Sequence, residues 1–380
     1  MMDFETKEPG VLVLGVHGGK FHLDDAMSCY LMSSLYGARC GNKVRVHRSS
    51  TSDGTDLDDC DIIMDVGMIY DHSKRRYDHH QRDYMEVYDE KMTEKNGRPL
   101  KMASVGLIWR HYGDAIVRAL WPAPKNGQMY CITSPSDTDV ALVVKRLYHI
   151  FFATIDADDN GLEQYVATDF AEGRQARPLY RDTTGLSRRV EMLNVRWNEP
   201  FAPGRADEQF ALAMQVAGAD FMNFFQDVAL SWLPARQMVA QAYFERKKYR
   251  ANGHVLVNEV GGFPYKDHLR DLEAEHCRAT AEHPEPPVLY VVSWDRGRQQ
   301  WSAVAVEVRP GSFENKLPFP PQWRGLRDEE LCAATGIPHC VFVHSSGFLA
   351  CNTDREDLLA MIDKSIEMQP ERYNMYKGSA

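Results

Sequence analysis

The sequence predicts an α/β fold class, with a mainly parallel-sheet domain in the first half of the chain and a smaller mixed α/β domain at the C-terminal end. Short apolar runs alternate with helix-like stretches over the first 160 residues, which is typical of strands that helices connect in a parallel sheet. From residue 207 apolar residues recur at spacings of three and four, which indicates a long helix. Beyond residue 250 strand-like runs outnumber helical ones.

The N-terminal half supplies most of the strand-to-helix alternation. Residues 11–16 form an apolar run rich in β-branched side chains, which predicts a buried parallel strand. A helix-like stretch follows at 26–36, and Gly37 is typical of a helix end. The other candidates are strands at 44–46 and 62–64, helices at 102–112 and 139–152, and a loop rich in Pro, Ser, Asn and Gly at 121–137.

The pattern changes in the C-terminal half. An apolar stripe from Phe210 to Val228 predicts a long helix, which Pro234 interrupts. Strand candidates follow at 254–259, 288–293, 301–306 and 340–344, with helix candidates at 328–334 and 353–368. We therefore predict an N-terminal domain at 10–200, a helical connector at 201–250 and a C-terminal domain at 251–380.

Composition narrows the class of protein. Of the 380 residues, 44% are hydrophobic and 26% charged, which is ordinary globular composition and excludes wholesale disorder. No apolar run approaches the roughly 20 residues of a membrane span, and the eight cysteines form no CxxC pair, which favours reduced thiols inside the cell. With no typical targeting segment, we expect cytoplasm or nucleus, with the mitochondrion as an alternative. The net charge of −10 argues against a nucleic-acid coat protein, but it allows an enzyme that grips phosphates in one cleft.

The first chemically distinctive segment is the loop after the first strand, which carries His17, His22 and Asp24 beside two glycines. Two imidazoles and a carboxylate suit a transition metal, and glycines let the loop turn so that these groups converge. The alternative is an ordinary polar loop, because an acid is favoured at the start of the following helix.

Two further segments come later in the predicted sheet. Asp65 directly follows the strand candidate at 62–64, and an acid at the carboxyl end of a parallel strand often faces the ligand-binding edge. In the triplet Asp78-His79-His80 one imidazole could bind metal and the other could face substrate, while Asp78 orients a ring. Solvated loop positions are the alternative for both segments.

The fourth segment, at 156–160, is rich in acids. The first residues of the segment fit a calcium-binding loop. The twelfth position of such a loop is normally a glutamate, but in this sequence it is Ala167. A single inward-facing carboxylate, that of Asp156, fits better, with the other acids facing solvent.

These four segments together have the ligands of a site for two metal ions. Two ions about 3.5–4 Å apart need a bridging carboxylate, for which Asp65 is the natural candidate. Mixed histidine and carboxylate ligation favours two Mn²⁺ ions, with Zn²⁺, Co²⁺ or Mg²⁺ as alternatives. The remaining ligands divide into His17 and His22 at one site and Asp24, His79 and Asp156 at the other.

The order of these residues resembles the DHH phosphoesterase superfamily, and more closely the Myg family (melanocyte proliferating gene family). Members of that family are described as metal-dependent hydrolases that act as 3′-to-5′ RNA exonucleases. The strings that resemble it cover nearly the whole chain: 17–24, 65–67, 77–82, 265–273, 323–331 and 344–348. The resemblance implies that 10–200 is a DHH-type metal-binding catalytic domain and 251–380 a substrate-binding domain.

The resemblance also implies roles for individual residues. Its metal ligands are His17, His22, Asp24, Asp65, His79 and Asp156. Asp65 and His80 are then the catalytic residues, with His80 facing the scissile phosphate. The candidate substrate-binding residues are Arg82, Lys266, His268, Arg324, His344, Ser345, Ser346 and Gly347. The turn at 344–347 has a composition that suits a phosphate, while an ordinary surface role is the alternative for each residue.

We therefore expect a metal-dependent hydrolase of phosphodiester bonds, with RNA or a short nucleotide as substrate and no membrane partner; the sequence leaves the oligomeric state open. A small-molecule phosphohydrolase acting on pyrophosphate or short nucleotides is the first alternative, and the acidic charge favours it. A non-catalytic metal-binding scaffold protein is the second.

Overall fold

The computed structural model describes residues 6–40, 43–92, 99–162, 183–279 and 285–376, and the chain divides into two compact units, Met1–Leu233 and Pro234–Ala380. Both units are mixed α/β, as the sequence predicts. The domain boundaries at residues 200 and 250 stay predictions. Along the described stretches, no helix has both the length and the apolar character needed to cross a membrane.

Strands and helices alternate in the first unit. Its elements are β1 (Val11–Val16), α1 (Leu23–Cys40), β2 (Lys43–Arg48), β3 (Ile62–Met64), β4 (Tyr70–Asp71), β5 (Arg76–Tyr77), α2 (Ser104–Ala119), α3 (Asp137–Leu147), α4 (Ala153–Asp159), α5 (Leu186–Glu191) and α6 (Arg205–Asp227). A π-helical turn, Tyr148–Phe152, joins α3 to α4, so the predicted helix at 139–152 continues through the acidic segment instead of ending before it.

The sheet of the first unit has the order β2-β1-β3-β5-β4. β1 is parallel to β2 and β3, and β3 is parallel to β5, while only the short edge strand β4 runs antiparallel among these described pairings. The carboxyl ends of β1, β3 and β5 therefore lie at one edge of the sheet. This edge is where α/β sheets bind their ligands.

Helix α1 is the central support of this edge. It begins directly after the loop at 17–22 and packs against β1, α2 and α6, with its apolar face in the main core. The predicted stop at Gly37 is wrong, because α1 continues to Cys40. The core is rich in aromatic rings, and Trp109 of α2 stacks on Phe152 while Phe221 of α6 packs edge-on to Trp109.

Helix α7 (Leu233–Glu245) begins at the boundary and is the first helix of the second unit. Its elements are β6 (Val255–Asn258), α8 (Lys266–Ala279), β7 (Tyr290–Asp295), β8 (Gln300–Ala305), α9 (Asp328–Thr335), β9 (Cys340–Val343), β10 (Leu349–Asn352), α10 (Arg355–Glu367) and α11 (Pro370–Asn374). The sheet order is β6-β7-β8-β10-β9, with β6 parallel to β7 and the other described pairings antiparallel. A core that includes α10 covers one face, and a smaller cluster from α7 and α8 packs on the other.

Candidate metal centre

The loops that follow β1, β3 and β5 bring the predicted histidines and aspartates to one end of the sheet. His17 directly follows β1, Asp65 follows β3, and Asp78 follows β5. The Asp65 amide donates to the Tyr77 carbonyl over 3.0 Å, which ties the end of β3 to β5. Asp65 has a φ of 59°, a left-handed conformation that aspartate and asparagine tolerate better than most residues.

The loop after β1 passes very close to the end of β2. A Cβ atom on Gly18 would lie 1.9 Å from the Ser49 carbonyl oxygen, so only glycine fits there. The Nδ1 atom of His17 lies 2.8 Å from the Gly18 carbonyl and donates to it, which leaves Nε2 facing the sheet edge. A histidine whose second nitrogen donates to a backbone carbonyl in this way is a common form of metal ligand.

The carboxylate of Asp65 lies at the centre of four imidazoles. Its Oδ2 atom is 3.4 Å from His17 Nε2 and 3.5 Å from His22 Nε2. Its Oδ1 atom is 3.5 Å from His79 Nε2 and 3.7 Å from His80 Nδ1. The Asp65 side chain is buried, and each of its oxygens faces a different pair of histidines. This is the arrangement that a bridging carboxylate between two metal ions requires.

Two aspartates that the sequence analysis did not select complete the cluster. The Oδ2 atom of Asp25 lies 3.1 Å from His17 Nε2. The carboxylate of Asp159 lies between two histidines, 3.5 Å from His22 Nδ1 and 3.0 Å from His79 Nε2. Asp159 is therefore placed inside the cluster, not in solvent as expected.

Asp24 lies at the meeting point of the cluster and helix α2. Its oxygens accept from the amides of Ser104 and Val105 over 3.1 and 2.6 Å, so it caps the first turn of α2. It also forms a group of potential ligands with His79 and Asp159, whose ligand atoms lie within 4.8 Å of one another. The two other such groups in the described chain are His17 with His22 and Asp65, and Asp65 with His79 and His80.

Asp156 lies one turn deeper on α4 than Asp159 and has a different environment. Its carboxylate accepts from the Ala103 amide over 2.9 Å and from the Tyr148 hydroxyl over 2.7 Å. A Cβ atom on Gly106 would lie 2.4 Å from Asp156 Oδ2, so the carboxylate packs directly on the backbone of α2. Burial raises the pKa of Asp156 to about 7. Asp156 belongs to none of the ligand groups in the described chain, and the geometry favours Asp159 for that position.

The facing atoms of the cluster are buried and close together, but within the described residues none of them forms a hydrogen bond of good geometry. These atoms are His17 Nε2, His22 Nδ1, Asp25 Oδ2, both oxygens of Asp65 and His79 Nε2. Buried polar atoms in proteins nearly always have a partner, so six convergent exceptions need a physical explanation. A set of histidine nitrogens and carboxylate oxygens aimed at common points fits divalent cations.

The pKa shifts of the cluster are consistent with a binding site for divalent cations. Burial lowers the pKa of His17 and of His79, but their carboxylate partners outweigh burial and raise each pKa to about 11. Burial raises the pKa of Asp65, yet the surrounding histidines hold it below its usual range. Burial, together with Asp65 and Asp159, raises the pKa of Asp24. Without metal, protons on these histidines balance the negative charge of the carboxylates, and a metal ion must displace those protons when it binds.

His80 differs from the other three histidines because it is exposed and its Nδ1 atom is engaged. Nδ1 lies 2.7 Å from Asp78 Oδ1, and this hydrogen bond raises the pKa of His80. Asp78 is buried and also accepts from the backbone amides of His79 and His80, so its orientation is well determined. The Nε2 atom of His80 is therefore available to a substrate. Arg82 is exposed two residues further on.

The structure brings some of the candidates in the second unit together. His344 to Gly347 form the turn between β9 and β10, in which His344 Nδ1 accepts from the Ser346 amide over 3.1 Å. Arg324 lies against this turn, since a Cβ atom on Gly347 would be 2.6 Å from Arg324 Nε. Ser345 and Ser346 are exposed at its tip.

The other two candidates of the second unit have different surroundings. Lys266 forms an ion pair with Glu307 at 3.0 Å. His268 is buried.

Comparison with known proteins places this arrangement in context. The family model MYG1_exonuc, described as uncharacterised protein family UPF0160, matches residues 13–366. The chain is 36% identical over 360 residues to MYG1 protein C27H6.8 of Caenorhabditis elegans, covering 94% of this chain and 96% of the relative. It is 37% identical over 351 residues to MYG1 exonuclease of Rattus norvegicus (92% and 83% covered), and 36% identical over 350 residues to MYG1 exonuclease of Homo sapiens (92% and 84%). No solved structure matches the chain at a significant level.

Proposed function

We propose that this protein, which belongs to the MYG1 exonuclease family (UPF0160), is a metal-dependent hydrolase of phosphodiester bonds. We further propose that it degrades RNA from the 3′ end. The relatives named exonucleases support the reaction class. The metal dependence of the proposed reaction is supported by the position of Asp65, whose two carboxylate oxygens face different histidines.

Two metal sites follow from this position. His17, His22 and Asp25 would hold one ion together with Asp65, and His79, Asp24 and Asp159 would hold a second ion that shares the Asp65 carboxylate. The chemistry that two such ions supply when bound is activation of a water molecule near neutral pH and neutralisation of phosphoryl oxygens. Mixed histidine and carboxylate ligands favour Mn²⁺.

His80 would position the substrate at the metal centre of the first unit. His80 is held by Asp78 through Nδ1, so its Nε2–H can donate to a phosphoryl oxygen beside the bond that breaks. The Asp78 hydrogen bond raises the pKa of His80, which favours the protonated ring, the form that stabilises negative charge developing on the phosphoryl group. In the second unit, the turn at 344–347 with Arg324 is the group that we assign to a substrate phosphate.

A parallel hydrolysis assay tests this function. Purified protein is incubated with Mn²⁺ and end-labelled RNA, end-labelled DNA or pyrophosphate, with His79→Ala as the control. We expect nucleotides to be released from RNA in a metal-dependent manner, and a 3′ block on the RNA to slow release more than a 5′ block does. Hydrolysis that survives a chelator, or that His79→Ala leaves intact, would contradict the proposal.

A small-molecule phosphohydrolase is the second candidate, and the net charge of −10 favours it. Salt separates the two, because binding of a polymer that contacts several cationic groups weakens steeply as salt rises, whereas binding of a single phosphate-bearing molecule weakens much less. A KM for RNA that rises steeply with salt supports the exonuclease. Preferential hydrolysis of pyrophosphate with little salt dependence supports the alternative. A non-catalytic scaffold would bind metal but hydrolyse none of the three substrates.

A further inference from the structure

A tight turn after α5 exposes a tryptophan almost completely. The Glu199 amide donates to the Arg196 carbonyl over 3.0 Å, and the Arg196 amide donates to Glu199 Oε1 over 3.2 Å, which closes a turn with Trp197 and Asn198 at its tip. Trp197 is 96% exposed. A ring this exposed gains nothing from burial in the fold, although tryptophan is the side chain with the largest apolar surface.

The same turn is attached to the loop of the candidate metal centre. The side chain of Asn194 accepts from the Phe21 amide over 3.0 Å and donates to the Phe21 carbonyl over 2.8 Å. Phe21 directly precedes His22, and its ring is buried against Phe210. This paired contact fixes the start of the turn relative to the histidines.

The length of chain between anchor and ring limits how far Trp197 can lie from the centre. Trp197 lies three positions after Asn194, and three residues span at most about 10 Å. The indole is therefore attached within about 10 Å of Asn194, which contacts the residue before His22, so a nucleotide near a phosphate held at the histidines can reach it.

We propose that Trp197 stacks on a base of single-stranded nucleic acid whose terminal phosphodiester lies at the metal centre; this inference rests on the proposed function. An exposed aromatic ring together with nearby positive charge is the feature by which single strands are bound without regard to sequence, and Arg196 is an exposed cation at the neighbouring position of the turn. Polar residues flank the indole on both sides along the turn, namely Arg196 and Asn198. Because Phe201 is also exposed, contact with another protein molecule is the competing explanation.

Binding of a hydrolysis-resistant phosphorothioate RNA oligonucleotide in the presence of Mn²⁺, followed by fluorescence anisotropy, tests the inference in the full chain. We expect Trp197→Ala to weaken binding roughly 5- to 150-fold, which is the effect of removing one stacked base. Trp197→Phe should retain most of the affinity. Phe313→Ala, at a fully exposed aromatic residue of the second unit, is the matched control and should bind like the wild type. An abasic residue within the last few nucleotides should weaken binding to the wild type but not to Trp197→Ala.

These measurements distinguish failure of the Trp197 inference from failure of the proposed function. If the wild type binds and hydrolyses RNA but Trp197→Ala binds it equally well, this inference is overturned and the proposed function stands. If Trp197→Ala leaves RNA binding intact but changes the mass measured by light scattering, the ring contacts protein, which also overturns the inference. If the wild type neither binds nor hydrolyses RNA, the proposed function fails and takes the inference with it.

Discussion

The substitution Asp65→Asn separates the proposed role of this carboxylate from its role in the fold. Asparagine has the same shape and tolerates the left-handed φ of 59°, so we expect the folded structure to persist. The negative charge is lost, and with it the bridge between the two sets of histidines at 3.4–3.5 Å. We expect kcat to fall by at least about 10³-fold, because removing even a residue that only orients a metal ligand costs about 10- to 100-fold.

The assay is release of nucleotides from end-labelled RNA at saturating Mn²⁺, with circular dichroism to confirm folding. Asp61→Asn is the matched control, because Asp61 is a buried aspartate just before the same strand and accepts from the backbone amides of Lys7 and Val13, away from the histidines. Asp61→Asn should lower stability and leave kcat near the wild-type value. Near-normal turnover by folded Asp65→Asn would refute the bridging assignment, as would an equal loss in both variants.

Three further predictions test the surroundings of the site. Asp159→Asn should raise the Mn²⁺ concentration needed for half-maximal activity by at least about tenfold. Asp156→Asn should chiefly lower the melting temperature, because Asp156 holds buried hydrogen bonds. The reverse result would indicate that Asp156, not Asp159, is the metal ligand. Gly106→Ala should destabilise the protein by about 1–3 kcal/mol, because the added Cβ would meet the Asp156 carboxylate. Gly37 is exposed on helix α1, so Gly37→Ala should instead stabilise the protein by about 0.5–1 kcal/mol. Denaturant unfolding measures both free energies, and equal effects would contradict the packing argument. Burial, with His72 and Arg110, lowers the pKa of His111 to about 4, so the unfolded chain takes up this proton first as the pH falls. The stability contributed by neutral His111 should therefore be lost between about pH 6.5 and pH 4. Because the ring is partly exposed and solvent screens the effect, we expect at most about 1 kcal/mol at pH 5. The substitution His111→Gln should show a smaller loss over that range, and an unchanged pH dependence would refute this reasoning.

Much of the first sheet could be predicted because its strands are apolar runs that end at polar residues. β1 and β3 were predicted with the observed bounds, and His17 and Asp65 follow them directly. The two-residue strands β4 and β5 were not predicted, since two residues carry no periodicity. In the second unit β10 was not predicted, because its apolar run is only three residues long and ends at Asn352.

The two missed aspartates show the limit of spacing arguments. Asp24 and Asp25 are neighbours on α1, so their side chains point about 100° apart, and packing of the helix decides which one faces a given histidine. The structure directs Asp25 to His17, and Asp24 to the first turn of α2. Sequence alone contains the two acids but not the rotation of the helix.

Asp159 was missed for a different reason. The acidic segment was interpreted as a loop, in which the neighbours of Asp156 would face solvent. In the structure the segment is helix α4, and residues three apart on a helix share a face. The spacing of Asp156 and Asp159 is the signal that could have identified Asp159, if the helix had been predicted to continue.

The number of metal ions bound per chain tests the central claim most directly. Wild-type protein and Asp65→Asn are dialysed to equilibrium against Mn²⁺, and the metal in each is measured by mass spectrometry. If Asp65 bridges two sites, the wild type should bind about two ions per chain, and Asp65→Asn should lose at least one of them. A wild type that binds no metal, or a variant that binds as much as the wild type, would contradict the account.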